Sequence, residues 1–267
     1  MKRTLTAVLA STAVLTAAPA AMAQAKSDFG QQGQFIIGAD RLLSFFGYSH
    51  YSYDLPAVGN ETKNNVSSSQ TSLSFFYGTT PGATIANGGI GTYSTNLAYT
   101  VPRLGFDYVI VPNVTIGGDL VLYFTLGGNN SSEQDYNGNG PCGASTCTQS
   151  SDSAGVTLFG IAPRGGYILG LNDMFSLWLR GGFSFYTWTA KQGNTSASEN
   201  QPAIDLEPQI VFHIIPHVGF TAGLTLDIPF AGGYSVSTPT GNGTNTTQSG
   251  GSSILYFGLN MGMLAYF

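Results

Sequence analysis

Between Val114 and Leu126 the chain alternates without a break. Val114, Ile116, Gly118, Leu120, Leu122, Phe124 and Leu126 fall on one face, and Thr115, Gly117, Asp119, Val121, Tyr123 and Thr125 on the other. A period of two held this long predicts a β-strand with one apolar and one mixed face. The same rhythm predicts strands near 33–48, 96–111, 113–127, 154–169, 173–189, 202–215, 217–230 and 252–267. Turns of a few residues lie around Pro112-Asn113, Leu171-Asn172 and Pro216-His217. Asn/Ser/Gly/Thr-rich segments, about 49–95, 128–153, 190–201 and 231–251, lie between them.

Apolar-out, polar-in strands joined alternately by short turns and long loops are the pattern of a transmembrane β-barrel in a bacterial outer membrane. The expected fold is all-β, an eight-stranded antiparallel up-and-down barrel. With the short turns in the periplasm, both termini lie there too. Two places strain the pattern. Thr71 to Tyr77 reads as a strand by itself and would make nine, so it is assigned to a hairpin rising above the membrane from the first loop. Arg41 falls on the face of Phe35, Ile37 and Leu43, which a β-bulge or a place near the headgroups would reconcile. Pro163 and Pro208 fall mid-strand on outward positions, where a missing N–H predicts a bulge or distortion.

The last sixteen residues put Leu255, Phe257, Leu259, Met261, Met263, Ala265 and Phe267 on one face. The ending resembles the C-terminal assembly signal of outer-membrane barrel proteins, with Gly262 and Phe267 matching the glycine and the final aromatic. Leu259 stands where a polar residue is usual. The resemblance implies recognition by the barrel-assembly machinery.

At the other end, Lys2 and Arg3 precede an apolar run and a small-x-small site, Ala21-Met22-Ala23, which predicts a secretory signal peptide over residues 1–23. Residues 24–267 are then the barrel. No Cys follows the cleavage site, so a lipoprotein anchor is not expected. No apolar run reaches the eighteen residues of a membrane helix. Removing Lys2 and Arg3 with the leader leaves 7 basic against 14 acidic residues, a net of −7, which argues against nucleic acid as a partner. Charged residues make up only 9% of the chain against 36 glycines and 12% aromatics, a balance suited to a wall in lipid.

The alternation turns Arg103, Asp107, Asp119, Arg164, Arg180, Asp205, Glu207 and Asp227 inward, with Asp40 beside them. Unpaired charge at low dielectric costs several kcal/mol, and eight strands leave an interior just wide enough for side chains. A lumen network that plugs the barrel is therefore expected, with a narrow polar channel as its rival. Inward Gly105, Gly117, Gly160, Gly166, Gly182, Gly219, Gly223, Gly258 and Gly262 leave room for arginines or for water. Outward Phe35, Phe45, Tyr108, Phe124, Tyr167, Phe185, Phe230 and Phe267 suit the interfacial girdles.

Few residues suggest other chemistry. Cys142 and Cys147 share one polar stretch and, in an exported protein, are expected to form a loop disulfide. A zinc site would need further ligands nearby. His50, Ser52 and Asp54 fall on one face of the first strand, the residue types of a nucleophile, its base and an orienting acid. His50-x-Ser52 is similar to an element of the outer-membrane lipid A deacylases, but there it lies late in the chain. A polar strand end at the headgroups is the competing reading. Asp135 to Gly140 has the first half of a calcium loop, but Thr146 stands where the bidentate Glu belongs. His213 faces inward near Asp205 and Glu207 as a hydrogen-bonded lumen residue, and His217 sits at a turn. No Asn-x-Ser/Thr sequon (Asn60, Asn130, Asn194) is given a glycan.

The mature chain resembles the small outer-membrane barrels of the OmpA/OmpX/OmpW type, in architecture more than in motif. No appended peptidoglycan-binding domain is expected. The resemblance implies a non-enzymatic structural or surface-interaction protein without a cofactor. Its partners would be outer-membrane lipid, lipopolysaccharide and an unknown surface ligand.

Overall fold

A computed structural model describes residues 28–55, 64–73, 100–126, 128–135, 146–153, 155–240 and 244–267. The expected leader, Cys142, residues 136–140 and residues 74–77 lie outside these, and the side chain of Cys147 is not described. Among the described residues there are twelve strands. They are β1 Phe35–Leu55, β2 Asn64–Leu73, β3 Arg103–Val111, β4 Val114–Thr125, β5 Gly128–Asp135 and β6 Thr146–Ser153. The second half holds β7 Gly155–Gly170, β8 Phe175–Gln192, β9 Thr195–Ile215, β10 Val218–Pro229, β11 Gly233–Pro239 and β12 Asn245–Tyr266.

Eight of them close a ring by antiparallel pairing, in the order β1, β3, β4, β7, β8, β9, β10, β12 and back to β1. These are the eight strands that the alternation predicts. At the seam the Phe35 N–H donates to the Phe267 carbonyl at 2.9 Å, and the Phe267 N–H returns the bond at 3.1 Å. The three short turns stand where the sequence puts them. Asn113 and His217 adopt left-handed φ of 69° and 68°, which reverses the chain in two residues. Asn172 Oδ1 accepts the N–H groups of Met174 and Phe175 at 2.9 Å.

The opposite end departs from the expectation of loops. β1, β9 and β12 run 21, 21 and 22 residues, where a tilted transmembrane strand needs about 9–11. Residues 190–201 form a continuous hairpin, closed at Gly193-Asn194 between Gln192 and Thr195. β2 pairs with Phe46–Leu55 of β1, above the point where β3 ends against Asp40. Residues 71–73 of the orphan segment thus belong to a hairpin off the ring. β11 likewise fills the gap between β9 and β12 above β10, and β5 pairs with β6. Ser and Thr on both faces of these extensions erase the apolar half of the alternation, so a working strand reads as a polar loop.

The prolines shift no register, but each leaves a gap in one ladder, the distortion expected of a missing N–H: the β7–β8 pairing skips Ala162 and Pro163, and the β9–β10 pairing skips Glu207 and Pro208. Register runs through Gly118↔Pro163 and Leu179↔Pro208 unbroken. The reason lies across the strand. A Cβ on Gly182 would run into the Pro163 carbonyl, and one on Gly223 into the Pro208 carbonyl. Gly182 pairs with Arg164 and Gly223 with Gln209, so a glycine beside each gap lets the neighbouring strand approach closely and keep its register.

Outward-facing Phe35, Ile37, Phe106, Ile116, Leu122, Phe124, Phe159, Ile161, Phe183, Phe185, Leu206, Leu224 and Met263 remain exposed around the ring. A continuous exposed apolar wall of this kind is stable only against hydrocarbon.

Candidate functional site: the charged lumen

The inward column of β8 gives the plan of the interior. From the short-turn end it reads Ser176, Trp178, Arg180, Gly182, Ser184, Tyr186, Trp188, Ala190: an aromatic level, a charged level, then an aromatic level again. The other strands follow the same order. Near the short turns, Phe29, Ile36, Val109, Ile168, Trp178, Val211, Leu264 and Tyr266 form one buried apolar cluster. Toward the loops, Val121, Leu158, Tyr186, Trp188, Tyr234, Ile254 and Tyr256 belong to a second. The ionic residues lie between the two.

All eight charged residues singled out in the sequence are buried there, together with Asp40 and Arg41. Arg164 holds Asp107 with two bonds, Nε to Oδ1 at 3.1 Å and Nη2 to Oδ2 at 2.6 Å. Its Nη1 lies 2.6 Å from Asp119 Oδ1, 3.0 Å from Asp40 Oδ2 and 3.5 Å from Glu207 Oε2. Arg180 bridges Asp40 at 2.9 Å and Glu207 at 2.7 Å. Arg103 is looser, 3.9 Å from Asp119 and 3.7 Å from Asp205. The planar five-donor fork of arginine permits this sharing, which a lysine point charge would not. Gly105 gives the cluster room, since a Cβ there would lie 2.8 Å from Arg164 Nη2 and 2.9 Å from Asp40 Oδ2.

Arg41 resolves the irregularity in the first strand. Ala39 pairs with Met263 and Leu43 with Met261, so three residues of β1 oppose the single Gly262. Arg41 takes a left-handed φ of 54° in this bulge. Its side chain thereby turns inward and reaches Glu207 at 2.7 Å, Asp227 at 3.2 Å and Asp205 at 3.3 Å. A non-glycine residue in this conformation costs on the order of 1–3 kcal/mol and persists only where its surroundings hold it, as the three carboxylates around the guanidinium do here.

Aromatic rings close the charged level from both sides. The Arg180 guanidinium lies 4.7 Å from the Trp178 ring centroid, Arg164 lies 5.7 Å from the same ring, and Arg103 lies 5.1 Å from Tyr186. Trp178 Nε1 donates to Thr115 Oγ1 at 3.2 Å. The sequence reading overlooked Trp178 and Tyr186, although they share the parity of Arg180. Phe29 carries no such signal. It precedes the first strand and packs edge-on against Trp178 at 5.7 Å and tilted against His213 at 5.3 Å and Tyr266 at 5.1 Å. His213 is the buried, hydrogen-bonded lumen residue that its parity predicts, its partner being Ser176 Oγ at 3.0 Å in this apolar level.

Asp40, Asp119 and Glu207 each bring an oxygen within 4.8 Å of the others, spacing that could hold a metal ion. Arg164 Nη1 already stands among those oxygens, so the guanidinium takes the place of a cation.

The remaining candidates are dispersed. His50, Ser52 and Asp54 lie on the extended half of β1, with His50 and Asp54 exposed and Ser52 half-buried. Tyr234 Oη donates to the Asp54 carbonyl at 2.7 Å. Burial and the Asp54 charge push the Tyr234 phenol up. Of the calcium-like stretch only the backbone of Asp135 is described, and the Cys142–Cys147 pairing lies outside the described residues. Gly262 is buried facing the bulge, and Phe267 is exposed on the outer wall.

No family model matches the chain, and no curated protein does. Among solved structures, the outer membrane protein OprG of Pseudomonas aeruginosa aligns at a TM-score of 0.47 and 12% identity, over 88% of this chain and 96% of that one. AlkL in lipid bilayers gives 0.42 and 11%, over 91% and 94%. The attachment invasion locus protein Ail of Yersinia pestis gives 0.32 and 9%, over 89% and 100%. The closed ring of eight strands, its exposed apolar wall and its charged interior make the chain an eight-stranded antiparallel β-barrel with an outer face suited to lipid.

Proposed function

We propose that the barrel is sealed, and that its role is structural or lies in surface interaction through the hairpins that rise beyond the bilayer. One observation carries this reading. Four guanidinium groups and six carboxylates are interlocked at one level of the lumen, with an aromatic level on either side. A conducting pore needs hydrated, mobile charge, and these groups are buried and held by one another.

The extended β1–β2, β8–β9 and β9–β11–β12 sheets then become the working surface, presented to lipopolysaccharide and to an outside ligand. Gly262 and Phe267 serve assembly. His50, Ser52 and Asp54 are a polar strand end, so Ser52→Ala leaves lipid A acyl chains unaltered.

The test combines proteoliposomes with intact cells. Refolded barrel should pass no small sugar or ion from loaded liposomes, and an epitope at Gly193-Asn194 should be stained on unbroken cells. Sugar or ion flux would make the protein a channel instead. An epitope reached only after lysis would remove the surface role.

A further inference from the structure

The bulge that turns Arg41 inward also reshapes the outer wall. Having spent Asp40 and Arg41 on the lumen, β1 carries both Leu42 and Leu43 half-buried toward the outside. They stand beside Phe220 of β10 and Met261 and Met263 of β12, with the backbone of Gly262 as a floor. Together these residues line a notch of about 340 Å³ in the outer wall. That is near the lower end of the range for small-ligand sites, about 300–1,000 Å³.

We propose that this notch is the seat of one acyl chain of a bilayer lipid. Its lining is aliphatic, thioether and aromatic, so it selects a tail and offers nothing to a headgroup. It lies within the exposed apolar belt, with Ile37 below and Leu224 and Leu259 above, so hydrocarbon is what the wall meets there. A tail gains no hydrophobic energy by leaving other lipid, because lipid is as apolar as the wall, and retention comes from packing. On the convex wall a chain touches protein along one side. In the notch it has protein on several sides, and each carbon pair at van der Waals distance adds about 0.1–0.2 kcal/mol. Two methionines suit a flexible guest, being unbranched and adaptable.

The proposal rests on the barrel lying in a bilayer and is independent of whether its lumen conducts. The test is methyl NMR of the full barrel in bilayers of dimyristoyl phosphatidylcholine, with labelled Met methyls and protonated acyl chains. Magnetisation transfer from chain methylenes to Met261 and Met263 should exceed by several-fold that to a reference methyl on the plain wall, supplied by Leu206→Met. In Leu43→Phe, whose ring projects into the notch and narrows it, the transfer should fall toward the reference value. Equal transfer at the notch and the reference would overturn the proposal. So would strong transfer that Leu43→Phe leaves unchanged. The comparison with Leu206→Met needs no alteration of the notch, so a Leu43 variant that failed to fold would still leave a decisive result.

Discussion

Arg41 Nη2 lies 2.7 Å from Glu207 Oε1, 166 positions further along the chain, although strict alternation assigns Arg41 to the lipid face. One local irregularity thus decides where a charge resides. Without the bulge a guanidinium would meet hydrocarbon, at a cost of about 2–4 kcal/mol at the midplane of a barrel. With it, three carboxylates gain a partner.

Replacing Arg41 by Ala should therefore cost about 3–5 kcal/mol, because Asp205, Glu207 and Asp227 keep their burial and lose a shared cation. Urea unfolding of the refolded barrel, followed by tryptophan fluorescence, measures this. Arg41→Lys should recover little of the loss, since one ammonium cannot span three acids.

The network should ignore salt. At 1 M the Debye length falls to about 3 Å, which abolishes surface ion pairs but leaves buried ones largely unscreened. The difference in unfolding free energy between wild type and Arg41→Ala should be the same at low salt and at 1 M. A difference that collapses in salt would mean that water and ions enter the lumen.

Trp178 joins two levels, with arginines on one side and Phe29 on the other. Trp178→Ala should cost about 3–5 kcal/mol as a large buried aromatic. Trp178→Phe should cost less, from losing the bond to Thr115 and part of the cation–π contact. A Trp178→Phe variant as stable as wild type would deny the indole any specific role.

Gly182→Ala should destabilise by about 1–3 kcal/mol, since the new methyl meets the Pro163 carbonyl and the strand must shift. Gly170 offers the control, because a Cβ there finds nothing within 4 Å. Its alanine variant should unfold like wild type.

The membrane strands were legible because lipid enforces the pattern: Val114 to Thr125 must alternate when one side faces hydrocarbon. The buried acids Asp107, Asp119, Asp205 and Glu207 could be read for the same reason. Beyond the bilayer that constraint lapses, and Thr195 to Glu199 or Asn245 to Ser249 are strands whose two faces are both polar. Arg41 was half legible: its broken parity called for a bulge or a place near the headgroups, and the pairing of β1 with β12 decides for the bulge. Trp178 and Tyr186 were available by parity alone. Phe29 was not, because its partners come from β8, β9 and β12 and nothing local announces them.

Single-channel recording of the refolded wild-type barrel in a planar bilayer tests the sealed lumen most directly, with Arg180→Ala beside it. The interlocked network predicts a silent wild type and irregular current from the variant, in which Asp40 and Glu207 lose a partner and draw in water. Steady, discrete steps from the wild type would contradict the account and make the same charges the lining of a pore.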